Sequence, residues 1–233
     1  GVPSIINPDD KNALEAALIL KEQKGAEVIA VSMGPPQAEI AIREALAMGA
    51  DKGILLSDRA FAGADTWATS YTLASAIKKI GQYDLVFCGR QAIDGDTAQV
   101  GPEIAEILDL PQVTYVRKIL AIDREKIIVE RAMEDGYEVI EAAMPVVLTA
   151  VKELNQPRYP SAPGIVNAFK ASIPVWDAAD IGVFPEKVGL KGSPTQVKRT
   201  FTPPMKGAGK MLTGTLQEMV QILVQELSAK HVI

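Results

Sequence analysis

The sequence is poor in the residues that most hydrolytic sites depend on. It holds one cysteine, Cys88, and one histidine, His231, the third residue from the C-terminal end. A single cysteine excludes an intrachain disulfide, and no Cys/His cluster with zinc spacing can form. No internal Ser-His-Asp or Cys-His pair and no HExxH helix is available, so the histidine-dependent hydrolase classes drop out. Gly209-Lys210 is followed by Met211 where a phosphate loop needs Ser or Thr, and Pro203-Pro204 stand where its strand should be. No apolar run reaches the roughly 18 residues of a membrane span, and the opening residues lack a basic-then-apolar signal. A cytoplasmic chain with no membrane insertion is expected. With 29 acidic and 24 basic side chains the net charge is −5, so no global field draws the chain to nucleic acid. What is plentiful is apolar residues, 48% of 233, enough for a substantial core. The balance points to a chain that binds something rather than one that cuts something.

The first half alternates between helix and strand signals. Asn7 stands as an N-cap, Pro8 as N1, and Asp9 and Asp10 suit the positive end of a helix that Gly25 should stop. Residues 27–33 form an apolar run ended by Gly34-Pro35-Pro36, the pattern of a buried parallel strand. Helix, strand, helix and strand follow over 36–48, 53–56, 66–80 and 84–88. This spacing predicts an α/β fold, a doubly wound and mainly parallel sheet with helices on both faces, and neighbouring strands throughout 27–88. A doubly wound unit normally opens with a strand, whereas this sequence reaches a helix within eight residues, so a strand upstream of Gly1 is expected.

Beyond a helix expected over 97–108 the period changes. Extended segments at 113–121, 126–131 and 137–141, with turn dipeptides Asp123-Arg124 and Asp135-Gly136, predict a β-meander, and 144–151 another buried strand. The three prolines of 155–163 predict a loop. A domain over 1–181 is then followed by 182–233, an extended arm rich in Gly, Pro, Lys and Thr and a last amphipathic helix with Leu216, Met219, Val220, Leu223 and Leu227 on one face. Such a helix docks on a neighbouring subunit or folds back on its own domain.

The segment richest in chemical meaning is Cys88-Gly89-Arg90-Gln91-Ala92-Ile93-Asp94-Gly95-Asp96-Thr97-Ala98-Gln99-Val100-Gly101-Pro102. It leaves the C-terminal end of a buried strand and enters a helix, where doubly wound sheets bind ligands. With Asp96 or Thr97 as cap, the amides of Ala98, Gln99 and Val100 would face an anion. Gln99 and Thr97 add side-chain donors, and Gly89 and Gly95 let backbone approach a ligand. The GxGxxG dinucleotide fingerprint is absent. Either a nucleotide phosphate site or a plain capped helix accounts for these residues.

This segment resembles the nucleotide-binding motif of the electron transfer flavoprotein β subunit. Val129-Glu130-Arg131, Glu134-Asp135-Gly136, Glu138, Ile140, Pro145 and Val147-Leu148-Thr149 resemble that subunit's signature, and Asn7-Pro8, Gly34-Pro35 and Asn155-Gln156-Pro157-Arg158-Tyr159 extend the likeness over essentially the whole chain. The resemblance implies a heterodimer with an α subunit that carries an electron-transferring FAD. It implies a nucleotide on the β subunit itself, AMP in the ordinary branch and a second FAD in the electron-bifurcating branch. By the same resemblance Thr97, Ala98, Gln99, Val100 and Gly101 hold phosphate, with Asp94 in the motif. Ser32, Met33, Gly34, Cys88 and Gly89 line an adenosine pocket, and Asn7 lies close by. Cys88 and Met33 are equally well explained as core fillers.

Two departures bear on the branch. Where the ordinary branch reads Asp-Asp-Asp-Cys-Asn-Gln-Thr-Gly, this chain has Asp94-Gly95-Asp96-Thr97-Ala98-Gln99-Val100-Gly101, wording that resembles the bifurcating branch. Gly95 removes bulk and negative charge, which suits a pyrophosphate. The partner-docking loop, with Tyr159, has Ala162 before Pro163 where relatives that serve many acyl-CoA dehydrogenases have Leu. A smaller anchor implies one dedicated acyl-CoA dehydrogenase. The implied activity is bifurcation within the heterodimer, from NADH to ferredoxin or flavodoxin and, through the α-subunit FAD, to that dehydrogenase. By this resemblance the chain alone is an electron-transfer subunit, and no acid-base residue is needed, which fits the lack of an internal histidine. An AMP-holding structural subunit and a stand-alone adenine-nucleotide module are the competing readings.

Overall fold

The computed structural model describes residues 5–202, 207 and 209–233, so Gly1 and Pro203-Pro204 lie outside the described residues. Packing divides the chain into two units, Gly1–Gln196 and Val197–Ile233.

The first unit opens with α1, Pro8–Lys24, which Gly25 ends in the left-handed region at φ 73° while its N–H bonds Lys21 O. Ala13, Ala16, Leu18 and Leu20 are its buried apolar residues. Then come β1 (Ile29–Met33), a short turn of 3-10 helix, α2 (Glu39–Met48), β2 (Lys52–Leu56), α3 (Thr66–Ile80) and β3 (Leu85–Gly89). β1 and β2 pair in parallel, Ile29 opposite Lys52 through Met33 opposite Leu56. A methyl added to Gly53 would reach within 2.2 Å of Ile42 on α2. Its neighbours Ile54 and Leu56 instead join Phe61 and Ala76 of the α3 side in one apolar cluster. Since successive side chains of a strand point to opposite faces, α2 and α3 cover the two sides of β2. Leu55 and Leu56 are both fully buried, each stabilising the fold by roughly 1.5–3 kcal/mol.

The strands of 27–88 do not lie side by side in one sheet. One sheet has the order β1-β2-β8 and the other β3-β7-β4-β5-β6, with β4 at Gln112–Ile122, β5 at Lys126–Met133, β6 at Gly136–Ala143, β7 at Val146–Ala150 and β8 at Val175–Trp176. β3 takes β7 as its parallel neighbour, from Leu85 opposite Val146 to Gly89 opposite Ala150. Local pattern identifies a strand but not its partner. Here β7, buried at every position, is the apolar strand that β3 finds. The meander is as expected: β4 with β5 and β5 with β6 are antiparallel. β4 also runs parallel to β7, with a register shift between Val113 and Val116. There Tyr115 has φ 57° and its N–H donates to Thr149 Oγ1 at 3.0 Å, which gives the buried Thr149 hydroxyl a partner.

α4, at Val100–Leu108, precedes β4, and α5, at Ala162–Lys170, takes the last two residues of the loop expected over 155–163. The loop stops at Ser161, whose hydroxyl accepts the Gly164 N–H at 3.0 Å. Ala162 and Pro163 already belong to the helix, since a first-turn proline forfeits no helical hydrogen bond. A short turn, α6 (Gly189–Gly192), follows, and the Leu190 N–H donates to Ala62 O at 3.0 Å. Val183 and Val188 sit in the α3-side cluster, so residues 182–196 pack within the first unit instead of starting the arm at 182. Gly- and Pro-rich composition concealed these two core valines.

In the second unit α7 spans Leu216–Ala229. A capping box starts it: the Thr215 N–H donates to Glu218 Oε2 at 2.7 Å and the Glu218 N–H to Thr215 Oγ1 at 3.4 Å. No residue of α7 is buried, and Leu216, Val220, Leu223 and Val224 are exposed. Among the described residues, no helix is long and apolar enough to cross a membrane.

Candidate functional site

At the C-terminal end of β3 the first turn of α1 crosses the chain. Gly89 has no side chain because there is no space for one: a methyl would lie 2.6 Å from Asp10 N and 2.7 Å from Asp9 C. The Gly89 N–H donates to Asp10 Oδ1 at 2.5 Å and is not open to a ligand. Asp9 faces the Arg90 guanidinium at 3.4 Å. Asn7 holds the N-cap position but spends its side chain elsewhere. Its Nδ2 donates to Gln91 O at 2.8 Å and Asp10 Oδ2 at 2.9 Å, and its Oδ1 accepts the Ile93 N–H at 3.0 Å. Burial pushes the Asp10 carboxyl above 3.8, the Gly89 and Asn7 hydrogen bonds pull it back in part, and the charge of Asp9 adds to the rise.

Residues 91–99 close on themselves before α4. The Asp96 N–H donates to Ala92 O at 2.9 Å, and Gln91 Nε2 donates to Asp96 Oδ1. Asp96 and Ala98 have φ of 53° and 54°, incompatible with a helix, so α4 starts at Val100 and not at Thr97. Neither Asp96 nor Thr97 caps it; Gln99 occupies the cap position, with no side-chain cap bond. The first intrahelical bond runs from the Glu103 N–H to Gln99 O at 2.9 Å. Pro102 has no N–H, so Val100 and Gly101 supply the free first-turn amides. Ala98 and Gln99 have opposite hands, a backbone pattern in which the N–H groups of the two residues and of Val100 can converge on an anion. Thr97 is exposed, as are Asp94 and Gly95.

Side chains of β3 and β7 support this end of α4. A methyl on Gly101 would meet Thr149 Cγ2 at 2.6 Å and Cys88 Sγ at 2.9 Å, so Gly101 lets the helix seat directly on the sheet. Cys88 donates to Leu148 O at 3.7 Å; burial first, and the charge of Asp10 second, push its thiol up to about 12, which makes it a packing group and not a nucleophile. From α3, Thr66 Oγ1 lies 3.0 Å from Gln99 Oε1 and 3.2 Å from Glu103 Oε1. These helix-to-helix contacts leave no mark in linear sequence. Asp9 and Asp10, by contrast, were visible only as first-turn acids.

Residues 1–181 match the family model described as the electron transfer flavoprotein domain. Over its whole length the chain is 62% identical to the electron transfer flavoprotein subunit beta of Thermoanaerobacterium thermosaccharolyticum, covering 89% of that protein. This chain belongs to the electron transfer flavoprotein family, as a β subunit. It is also similar to the caffeyl-CoA reductase-Etf complex subunit CarD of Acetobacterium woodii, at 60% identity over the whole chain and 89% of the relative. The acryloyl-CoA reductase electron transfer subunit gamma of Anaerotignum propionicum is 48% identical over 99% of the chain and 88% of its own length.

In this electron transfer flavoprotein subunit direct contacts join one set of the expected site residues. Asn7, Cys88, Gly89 and the loop ending at Gln99, Val100 and Gly101 are linked by the contacts above. Ser32, Met33 and Gly34 end β1 in the other sheet; Met33 packs on the α3-side cluster and the Gly34 N–H donates to Leu56 O at 3.0 Å. On the far side of the sequence Tyr159 is 93% exposed, and Ala162 and Pro163 are exposed in the first turn of α5. A cavity of about 500 Å³ lined by Trp67, Tyr71, Lys187 and Lys191 among others shares no residue with the strand-end site.

Proposed function

We propose that this β subunit holds FAD at the loop before α4 and works in electron bifurcation within a heterodimer with an electron transfer flavoprotein α subunit. The observation that carries this is the loop itself. Its amides from Ala98 to Gly101 have no backbone acceptor, its hand reverses at Ala98, and space is open around Gly95, where a methyl would meet nothing within 4 Å. Asp96 is occupied by Gln91, which draws its charge into the loop's own closure. These features fit a ligand phosphate, and the open space at Gly95 suits the second phosphate of a dinucleotide. The 60% identity to a subunit named for a caffeyl-CoA reductase-Etf complex supports the bifurcating branch and a dedicated acyl-CoA dehydrogenase as partner.

When bound, FAD would supply the redox chemistry, accepting hydride from NADH and passing single electrons to ferredoxin or flavodoxin and towards the α-subunit FAD. Val100 and Gly101 bind phosphate through first-turn amides, with Thr97 and Gln99 as side-chain donors. Asn7 and Asp10 hold the loop to the end of β3. Tyr159, Ala162 and Pro163 form the docking surface for the dehydrogenase.

The test is chemical. The nucleotides extracted from the purified heterodimer are identified and counted; two FAD per heterodimer, with NADH oxidation, are expected. One FAD and one AMP would overturn bifurcation and leave a structural nucleotide on this subunit. Two FAD without NADH oxidation would leave only the binding half.

A further inference from the structure

The cavity of about 500 Å³ in the first unit lies between α3, the end of α4 and the segment around α6. Its volume falls in the range of small-molecule sites. Trp67 and Tyr71 stand one turn apart on the same face of α3 and form an aromatic wall, and Ile107 of α4 also lines the cavity. The charged lining is Glu186, Lys187 and Lys191. The Lys187 ammonium lies 5.7 Å from the centre of the Tyr71 ring and 5.5 Å from that of Phe184. Among the described residues none of these three charged side chains has a hydrogen-bond or ion-pair partner.

The backbone that carries the lysines is fixed. Gly192 packs against it so closely that a methyl would lie 2.1 Å from Lys187 C. Val188 is buried, and the Leu190 N–H donates to Ala62 O at 3.0 Å. The Ser193 hydroxyl accepts the Asp65 N–H at 2.8 Å and donates to Gly189 O at 2.7 Å. The segment is thus tied to residues 62 and 65, just ahead of α3, and the cavity is shaped without a ligand.

Three chemistries meet there. An indole and a phenol ring offer stacking surface to a planar base. Two ammonium groups offer donors and positive charge to phosphate, and one carboxylate offers acceptors to sugar hydroxyls. A bare anion would leave the aromatic wall in water, and an apolar ligand would strip water from two ammonium groups without pairing them. We propose that this cavity is a second ligand site, one that takes a nucleoside phosphate: the base stacks on Trp67, the sugar hydroxyls meet Glu186, and the phosphates meet Lys187 and Lys191. It is separate from the strand-end site and does not depend on which nucleotide that site holds.

The experiment uses the heterodimer as purified, with its resident nucleotides bound, titrated with ADP by calorimetry. One saturable ADP per heterodimer beyond the resident nucleotides is expected, with affinity that falls as salt is added. Trp67→Ala should weaken it by about 10- to 100-fold through loss of stacking, and Trp67→Phe should recover most of that loss. Lys187→Met and Lys191→Met should each weaken it by about 3- to 10-fold and flatten the salt dependence. Adenosine and pyrophosphate each supply half of the ligand and should bind about tenfold more weakly than ADP, or worse. ADP and coenzyme A share the nucleoside phosphate; tighter binding of ADP assigns the cavity to a free nucleotide, tighter binding of coenzyme A to a nucleotide-tailed carrier, and either supports the proposal. Trp67, Lys187 and Lys191 are exposed, so the variants keep the fold, which an unchanged melting temperature checks. No ADP bound beyond the resident nucleotides would overturn the proposal. So would ADP binding that Trp67→Ala and both lysine variants leave unchanged, since that ADP would sit elsewhere.

Discussion

Arg158 forks onto Glu15 across 143 residues of chain, with Nε and Nη2 each 2.9 Å from a different carboxylate oxygen. The Arg158 N–H adds a third bond to Glu15 Oε2 at 3.0 Å. One turn earlier Asn12 Nδ2 donates to Asn155 O at 2.7 Å, and Asn155 Nδ2 returns a bond to Asn12 O at 2.9 Å. α1 thus holds the C-terminal end of β3 with its first residues and the segment leading to Tyr159 with its middle.

Glu15 is buried, so removing its partner strands a charge away from water. Arg158→Met is expected to destabilise the fold by about 2–3 kcal/mol, below the fully buried range because the arginine remains about a third exposed. Urea unfolding of the variant measures this. A midpoint equal to wild type would mean that the fork contributes nothing.

Gly89 and Gly95 separate packing from binding. Gly89→Ala drives a methyl into the backbone of Asp9 and Asp10, which cannot yield without moving α1, and a loss of about 2–3 kcal/mol or more is expected. Gly95→Ala meets nothing within 4 Å and should leave the melting temperature unchanged. Any loss of FAD retention in Gly95→Ala then reports the ligand site alone.

Acid should loosen the first unit through its caps. Burial works to raise the Asp65 carboxyl, but hydrogen bonds from Ala68, Thr195 and Ser193 outweigh it and hold the group below 3.8. The Ala60 and Ala178 N–H groups hold Asp58 below the same value. A depressed folded value means stability that is fully present above 3.8 and is lost as pH falls through the folded value. Melting temperature should therefore drop below about pH 4. Asp65→Asn should show a shallower drop, and an equal one would exclude this linkage.

At the loop, Thr97→Asp exchanges a donor for a negative charge beside the proposed phosphate. Nucleotide binding should weaken by about 1–3 kcal/mol, roughly 5- to 150-fold. The flavin-to-heterodimer ratio after gel filtration reads this directly.

The apolar stripe of α7 calls for a cover. Deleting residues 216–233 is expected to release the α subunit on size-exclusion chromatography, since Leu216, Val220, Leu223 and Val224 are exposed. An unchanged elution volume would count against docking by this helix.

Much of this protein is legible locally. Pro8 with its following acids starts α1 and Gly25 ends it, and the apolar runs at β1, β2, β3 and β7 declare strands because caps and periodicity act within a few residues. The family is legible for the same reason, being carried by short runs such as Asp94 to Gly101. Three features needed the fold. β3 chose β7, some 60 residues ahead, because strand pairing is decided by which apolar faces meet and not by order in the chain. α4 began three residues later than its capping signal, because Asp96 was claimed by Gln91 and the left-handed Ala98 broke the helix. The bond from Thr66 to Gln99 joins two helices that nothing in the linear pattern brings together, since a hydrogen bond of 3.0 Å depends on tertiary packing to set its length.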